Sequence, residues 1–416
     1  MGAVGDELGE GIKQEDDCHN NIDRKDSFAS DGESEYLRLK TAEIQEACNT
    51  RDLPTLRRCA LSKGGFLKDY LRQSAWPLLL GDDVAEDAKE RPLDPSWKDL
   101  EPHHDENQVQ LDVNRSFVYY PNGAADKTET ELSAFKQELS DLMLEVLRRH
   151  PYLHYFQGYH DICQVFVLVF PYRRARARAV SRLSLLRIRD FMLSSLRPTV
   201  SQLHLIPDIL AAADAPLRRH LAGVVDPFYA LAGTLTMYAH NIERYGDIAR
   251  LFDAMLAAEP AFSVYVFAYI ILSRREVLLD IPNDEQDVLH AVLSQVPQPL
   301  NVEGLISGTM ALMEKYPPRS LPAWKRISAY SCLKTYSPLE RCESMEDAAR
   351  NFKKQTSELE WQDLCERTTK ALWKYRKPAR AVCAAVAVGI FAIYLRKNPT
   401  LLSSLPSFIS RVLFYR

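Results

Sequence analysis

Between Leu132 and Leu147 the chain sets Leu132, Phe135, Leu139, Leu142, Met143, Val146 and Leu147 at intervals of three and four. Only a helix brings such positions onto one face, since a strand repeats every second residue. Thr128-x-x-Glu131 just ahead is a capping box that fixes the start. His150-Pro151 closes the segment, because the residue before a proline is pushed out of helical geometry. Strand-like alternation is hard to find elsewhere, and glycine is scarce at 16 of 416 residues. The expected fold class is all-α.

Other segments fit that class. Asp52-Leu53-Pro54 reads as a cap followed by an early-helix proline, with the helix stopping at Gly64-Gly65. Leu67, Tyr70, Leu71 and Ala75 give a further helical face, which Pro77 should end. Ile162 to Phe170 is a continuous apolar run and reads as a buried helix. From Phe228 to Leu279 the chain is rich in Leu, Ala, Tyr and Phe, enough for two or three core helices. Residues 173–189 carry arginines at 173, 174, 176, 178, 182, 187 and 189, read as a solvated face or as a basic surface for acidic lipid or an acidic partner.

Residues 1–34 hold ten acids and three bases and almost no large apolar side chains. Such a stretch cannot bury enough surface to offset its ordering entropy and is expected to be disordered. A domain over 35–318 should follow, then a linker and polar helix over 319–380. Hydrophobic residues at 46% exclude global disorder, and a formal net charge of −4 gives no sign of nucleic-acid binding. Eight cysteines without a CxxC pair argue against a disulfide framework or a zinc site and suit a reducing compartment, and no metal-binding residue is expected. No GxxxxGK[ST] phosphate loop occurs.

Ala381 to Leu395 is fifteen residues without a charge, with Lys374, Arg376, Lys377 and Arg380 before it and Arg396 and Lys397 after. At about 1.5 Å per residue it rises roughly 22 Å, against a hydrocarbon core of about 30 Å. The flanking basic side chains can snorkel and lengthen it. The expectation is a transmembrane or membrane-inserted anchor over 381–395 in contact with lipid, a short tail over 396–416, and the rest of the chain in the cytosol.

Three short motifs carry the functional signal. RQSAW (Arg72 to Trp76) precedes VQLDVNR (Val109 to Arg115), which precedes YFQG (Tyr155 to Gly158). Read alone, Gln157 is an ordinary capping residue and Arg115 an ordinary solvated arginine. In this order the three resemble the TBC-domain family of Rab GTPase-activating proteins, with R-x-x-x-W, I-x-x-D-x-x-R and Y-x-Q-G motifs. Arg72 and Trp76 match the first and Asp112 and Arg115 the second, with Val109 in place of isoleucine. Tyr155, Gln157 and Gly158 match the third, and Asp161 fits an acidic position just after it. The resemblance covers about 50–318 and is strongest to a membrane-anchored member acting on the Rab of endoplasmic reticulum-to-Golgi traffic. That member shares QGYHDI, RDFM (Arg189 to Met192) and a REVL-like stretch (Arg275 to Leu278).

The resemblance implies that Arg115 is an arginine finger and Gln157 a glutamine finger, both supplied in trans to a GTP-bound Rab. GTP hydrolysis asks for charge stabilisation and a positioned water more than covalent chemistry. A planar guanidinium bridges phosphate oxygens as lysine cannot, and a carboxamide offers both a donor and an acceptor to water. Arg72, Trp76, Asp112, Tyr155, Gly158 and Asp161 would support them. Trp76 reads as a packing residue, Asp112 as a partner for an arginine such as Arg72, and His160 as structural. No cofactor of its own is expected; GTP and Mg²⁺ would arrive with the Rab. The implied location is the endoplasmic reticulum or early secretory membrane, with the domain facing the cytosol; the alternative function is a non-catalytic membrane adaptor that binds a Rab or membrane-shaping proteins.

Overall fold

The computed structural model describes the backbone of residues 19–82, 96–116, 128–337 and 344–397, without the side chains of 19–33, 372, 374–383 and 395. The chain divides into two units, Met1–Gln355 and Thr356–Arg416. Helices α1 (His19–Thr50), α2 (Leu53–Leu61) and α3 (Asp69–Leu79) come first, then α4 (Glu106–Val113), α5 (Glu129–Arg149), α6 (Tyr159–Val169) and α7 (Arg173–Leu186). Short helices α8 (Arg197–Leu203), α9 (Leu205–Ala213), α10 (Ala215–His220) and α11 (Leu231–Leu235) follow. Next are α12 (Tyr245–Ala257), α13 (Phe262–Ser273), α14 (Arg275–Leu279), α15 (Gln286–Leu293), α16 (Val302–Lys315), α17 (Cys332–Thr335) and α18 (Met345–Lys397). Among the described residues there is no β-strand, so the all-α expectation stands.

Local chemistry sets the boundaries. The Thr128 hydroxyl accepts from Glu131 N at 3.3 Å and the Glu131 carboxylate accepts from Thr128 N at 2.9 Å, closing the capping box at the start of α5. The Asp52 carboxylate accepts from Thr55 N at 3.1 Å to start α2. Along α5 the apolar face deepens toward its end, where Leu139, Leu142, Met143, Val146 and Leu147 are buried. That face lies on α6, whose residues from Ile162 to Val167 are all buried. Helix α3 runs two residues past Pro77, where its end was expected; a proline so near the last turn costs few helical bonds.

The centre of the first unit is a buried carboxylate. Asp253 of α12 is fully buried within the apolar run LFDAML. Its oxygens accept from Arg72 Nε and Nη2 at 3.0 Å each, Trp76 Nε1 at 2.8 Å and Phe66 N at 3.0 Å. Arg72 reaches Asp69 with its third nitrogen at 2.8 Å. The Trp76 ring packs against Phe166, Phe170 and Phe252, as its reading as a packing residue requires. A Cβ on Gly65, whose φ is +54°, would lie 2.4 Å from Asp253 Oδ2, so the turn before α3 needs glycine.

Several expectations need correction. Asp112 does not meet Arg72, which Asp253 and Asp69 occupy. Helix α1 begins at His19, inside the stretch expected to be unstructured. Helix propagation from a packed face explains it, since Ile44 and Ala47 are buried and extending a formed helix is easy. Residues 1–18 lie outside the described residues. The expected linker beyond 318 is part of the first unit up to Gln355. There Leu321, Ala323, Ile327, Cys332, Leu333 and Tyr336 are buried, and Cys332 N and Gln355 Nε2 donate to Asp190 at 3.2 and 2.9 Å.

The arginine run is not a basic surface. Arg176 pairs with Glu138, Arg178 with Asp82 and Arg173 with Glu145. Arg182 donates to the carbonyl of Leu80, and Arg187 to those of Met255 and Ala258. Arg189 is fully buried and donates to Leu185 and Tyr330 carbonyls. These side chains cap backbone ends inside the unit.

The second unit contains the rest of α18. Among the described residues no helix is long and apolar enough to cross a membrane. A span at 381–395 is therefore not supported: fifteen residues are too few, and charged residues bracket them.

Because Asp253 neutralises a buried arginine, removing it leaves Arg72 charged and unpaired. Asp253→Ala is expected to lose about 3–5 kcal/mol of unfolding free energy, measured by urea denaturation. A loss below about 1 kcal/mol would show that the network is dispensable.

Candidate functional site

Arg115 lies just past the end of α4, and its position follows from Asp112 one turn earlier. The Asp112 side chain is fully buried while that of Arg115 is 63% exposed. A buried carboxylate must be compensated, and the Arg115 Nη2 donates to Asp112 Oδ1. The Tyr155 hydroxyl donates to Asp112 Oδ2 at 2.7 Å, and Gln108 Nε2 reaches Oδ1 at 3.4 Å. The guanidinium is tethered through Nη2 while the side chain as a whole stays exposed.

Gln157 sits in the loop between α5 and α6 and lines a cavity together with Arg115. That cavity has a volume of about 820 Å³ and is lined by Arg115, Gln157, Asp161, Phe191, Phe228 and Leu235 among others. The residues before and after Gln157 are pinned. Phe156 and Tyr159 are buried, and the Tyr159 hydroxyl lies 2.7 Å from Ser184 Oγ. Tyr155 N donates to Asp105 Oδ2 at 2.9 Å, and His154 N to the Met192 carbonyl at 2.8 Å. Gln157 itself is exposed and has no hydrogen-bond partner among the described residues.

Gly158 makes this turn possible. It caps α6 with φ +104° and ψ −9°, a conformation that disfavours any residue with a Cβ. A Cβ there would also lie 2.6 Å from Thr236 Cγ2.

Electrostatics order the floor of the cavity. Burial, then the bond to Asp112, raises the Tyr155 phenol well above its ordinary range, so it stays a donor. Burial holds His160 below its ordinary range. Its ring lies between Tyr155, 3.3 Å from Nδ1, and Asp161, 3.4 Å from Nε2. Asp161 also meets His240 Nδ1 at 3.2 Å, a bond that raises the His240 pKa. His160 is a spacer between a tyrosine and an aspartate, as its structural reading has it.

The structure thus brings Arg115, Tyr155, Gln157, Gly158 and Asp161 to one cavity, buries Asp112 beneath Arg115 and Tyr155, and leaves Arg72 and Trp76 in the core. Sequence reasoning missed Asp253, Asp190 and Thr236. An aspartate inside an apolar helical run, as in LFDAML, was the available signal for Asp253. Nothing in the sequence marks Thr236.

Residues 69–279 match the family model described as the Rab-GTPase-TBC domain, a span that holds all three motifs. The chain is 38% identical to TBC1 domain family member 20 of Mus musculus over 68% of this chain and 69% of that protein. It is 36% identical to the Homo sapiens protein of the same name over 68% of each. It is 32% identical to GTPase-activating protein gyp10 of Schizosaccharomyces pombe over 78% of this chain and 86% of that one.

Gly158→Ala must strain the backbone and displace Thr236. The expected cost is about 1–3 kcal/mol of unfolding free energy, read from denaturant midpoints. A neutral substitution would mean that the turn adopts another conformation in solution.

Proposed function

The chain belongs to the Rab-GTPase-TBC domain family, and from that premise we propose that it accelerates GTP hydrolysis on a Rab-family small GTPase, supplying Arg115 and Gln157 in trans. The observation that carries this reading is their placement: two exposed polar side chains, far apart in sequence, on the walls of one cavity. Arg115 would stabilise charge developing on the phosphates, an effect worth about 10³–10⁵ in rate, or roughly 4–7 kcal/mol of barrier. Gln157 would orient the attacking water through its carboxamide. Asp112 and Tyr155 are positioning residues that aim the guanidinium. The apolar side of the cavity, with Leu196 and Phe228 at its rim 45% and 49% exposed, offers a surface to the Rab. GTP and Mg²⁺ would come with that partner.

We further propose action at endoplasmic reticulum or early secretory membranes, on the Rab of transport from there to the Golgi, with the catalytic unit facing the cytosol. The shared QGYHDI and RDFM segments support this, as does the exposed apolar stretch of α18. Val386, Val388, Ile390, Phe391, Ile393 and Tyr394 are all more than half exposed. A helix apolar on every side needs a non-aqueous neighbour, and shallow insertion into lipid supplies one.

Single-turnover hydrolysis on a panel of GTP-loaded Rabs tests the chemistry. Arg115→Ala and Gln157→Ala should each lower the stimulated rate by at least about 10²-fold while keeping the helical circular dichroism of the folded chain. Arg115→Lys should recover little. Stimulation surviving both alanine variants sinks the two-finger assignment. Rab binding without stimulation by the unsubstituted chain would favour the adaptor.

Flotation with liposomes tests the membrane reading. The full chain should float, and the double variant Val388→Asp, Phe391→Asp should stay in the dense fraction. Equal flotation of both would remove the segment from lipid contact.

A further inference from the structure

Beside the cavity, at the start of α4, three consecutive residues turn their ligating atoms toward one another. His103 Nδ1, His104 Nε2 and Asp105 Oδ2 all lie within 4.8 Å of each other. His104 Nε2 to Asp105 Oδ2 is 3.2 Å, and His103 Nδ1 to Asp105 Oδ2 is 4.0 Å. A fourth nitrogen comes from another segment: His154 Nδ1 stands 3.3 Å from His104 Nε2.

The protonation of His103 is fixed by its neighbours. Its side chain is fully buried, and Nε2 lies 2.9 Å from the Leu153 carbonyl, which can only accept. Nε2 therefore carries the proton. Nδ1 accepts from Asp105 N at 3.2 Å, so it presents a lone pair. A histidine that donates one ring N–H to a backbone carbonyl and turns the other nitrogen's lone pair inward is oriented as metal-bound histidines are. The long contact to Asp105 N is the one that a cation would replace.

The spacing selects the ion. Ligands about 2.0–2.1 Å from a tetrahedral Zn²⁺ sit roughly 3.3 Å apart. Of the six separations among four ligands, those of 3.2 and 3.3 Å already match, and the 4.0 Å one exceeds it by less than 1 Å. Imidazole nitrogens with one carboxylate oxygen suit zinc rather than calcium or magnesium, which take oxygen ligands. Half of the His104 side chain is exposed, which gives an ion a way in.

We propose that His103, His104, Asp105 and His154 form a Zn²⁺ site. It would clamp the start of α4 to the segment that leads into Gln157, holding the bases of the Arg115 and Gln157 segments together. Asp105 Oδ2 already joins those segments by accepting from Tyr155 N at 2.9 Å. The binding claim stands whether or not the chain acts on a Rab.

The test uses the full chain, first with Zn²⁺ titrated against a chromophoric chelator, then with Co²⁺ as a spectroscopic substitute. One equivalent should bind and raise the unfolding temperature. The Co²⁺ form should show visible bands of a tetrahedral nitrogen and oxygen set, without a thiolate band in the near ultraviolet. His104→Ala and His154→Ala, each shown to keep the helical circular dichroism, should weaken Zn²⁺ binding by roughly tenfold or more. A thiolate band, affinity unchanged in both variants, or no binding by the unsubstituted chain would each overturn the proposal.

Discussion

The carboxylate of Asp253 holds the first unit together, because four donors from two separate segments end on it. Arg72 and Trp76 come from α3 and Phe66 N from the turn before it, while Asp253 belongs to α12. Charge in a low-dielectric interior is tolerated only when it is paired and its remaining lone pairs are filled. Here both conditions hold, so the pair fixes the register of α3 on α12 rather than merely burying area. The aromatic cluster of Trp76, Phe166, Phe170 and Phe252 then brings α6 against the same point. Helix α6 is the one that Gly158 caps, so the site inherits its position from this network.

A second buried carboxylate does different work with the same chemistry. Arg72 spends all three guanidinium nitrogens on Asp253 and Asp69, and its side chain is 8% exposed. Arg115 gives one nitrogen to Asp112 and stays 63% exposed. The first arginine is a fastener with nothing left to offer. The second is aimed by its carboxylate and still carries unused donors. Tyr155 takes the other Asp112 oxygen, so the buried carboxylate keeps one hydrogen bond that does not depend on Arg115.

The three motifs were legible in the sequence through their order and spacing, which carry the family resemblance; Arg72 and Trp76 lie within α3, Arg115 just past the end of α4 and Gln157 just ahead of α6. Period and caps gave α2 and α5 closely, since local hydrogen bonds decide such boundaries, and an apolar run gave α6, which begins three residues earlier at Tyr159. The pairing of acids with arginines was not legible: Asp112 and Asp253 look alike along the chain, and only the three-dimensional packing assigns them to Arg115 and Arg72. The run from Arg173 to Arg189 misled for the same reason. A periodic excess of arginine reads as a surface, yet these side chains reach carbonyls at Leu80, Met255 and Tyr330, which are distant in sequence. The stretch beyond Pro318 looked like a linker because its elements are short. Its burial rests on Asp190, whose carboxylate gathers Cys332 N and the Gln355 amide from far along the chain.

The polarity of LHYFQGYHDI follows from the same accounting. Leu153, Phe156 and Tyr159 face the core and are buried, while Gln157 points away between them. A loop fastened by two aromatic anchors, by Asp105 on the Tyr155 amide and by a left-handed glycine has little freedom left. An exposed glutamine on a flexible loop would have to be ordered at the moment of use, at an entropic cost of about 1–2 kcal/mol per backbone residue fixed. Here that ordering is complete in the folded chain. Preorganised polar groups give their full stabilisation to a developing charge or a held water, without reorganising as the reaction proceeds. The Gln157 backbone is therefore already placed at the cavity, and the buried residues on either side are what place it.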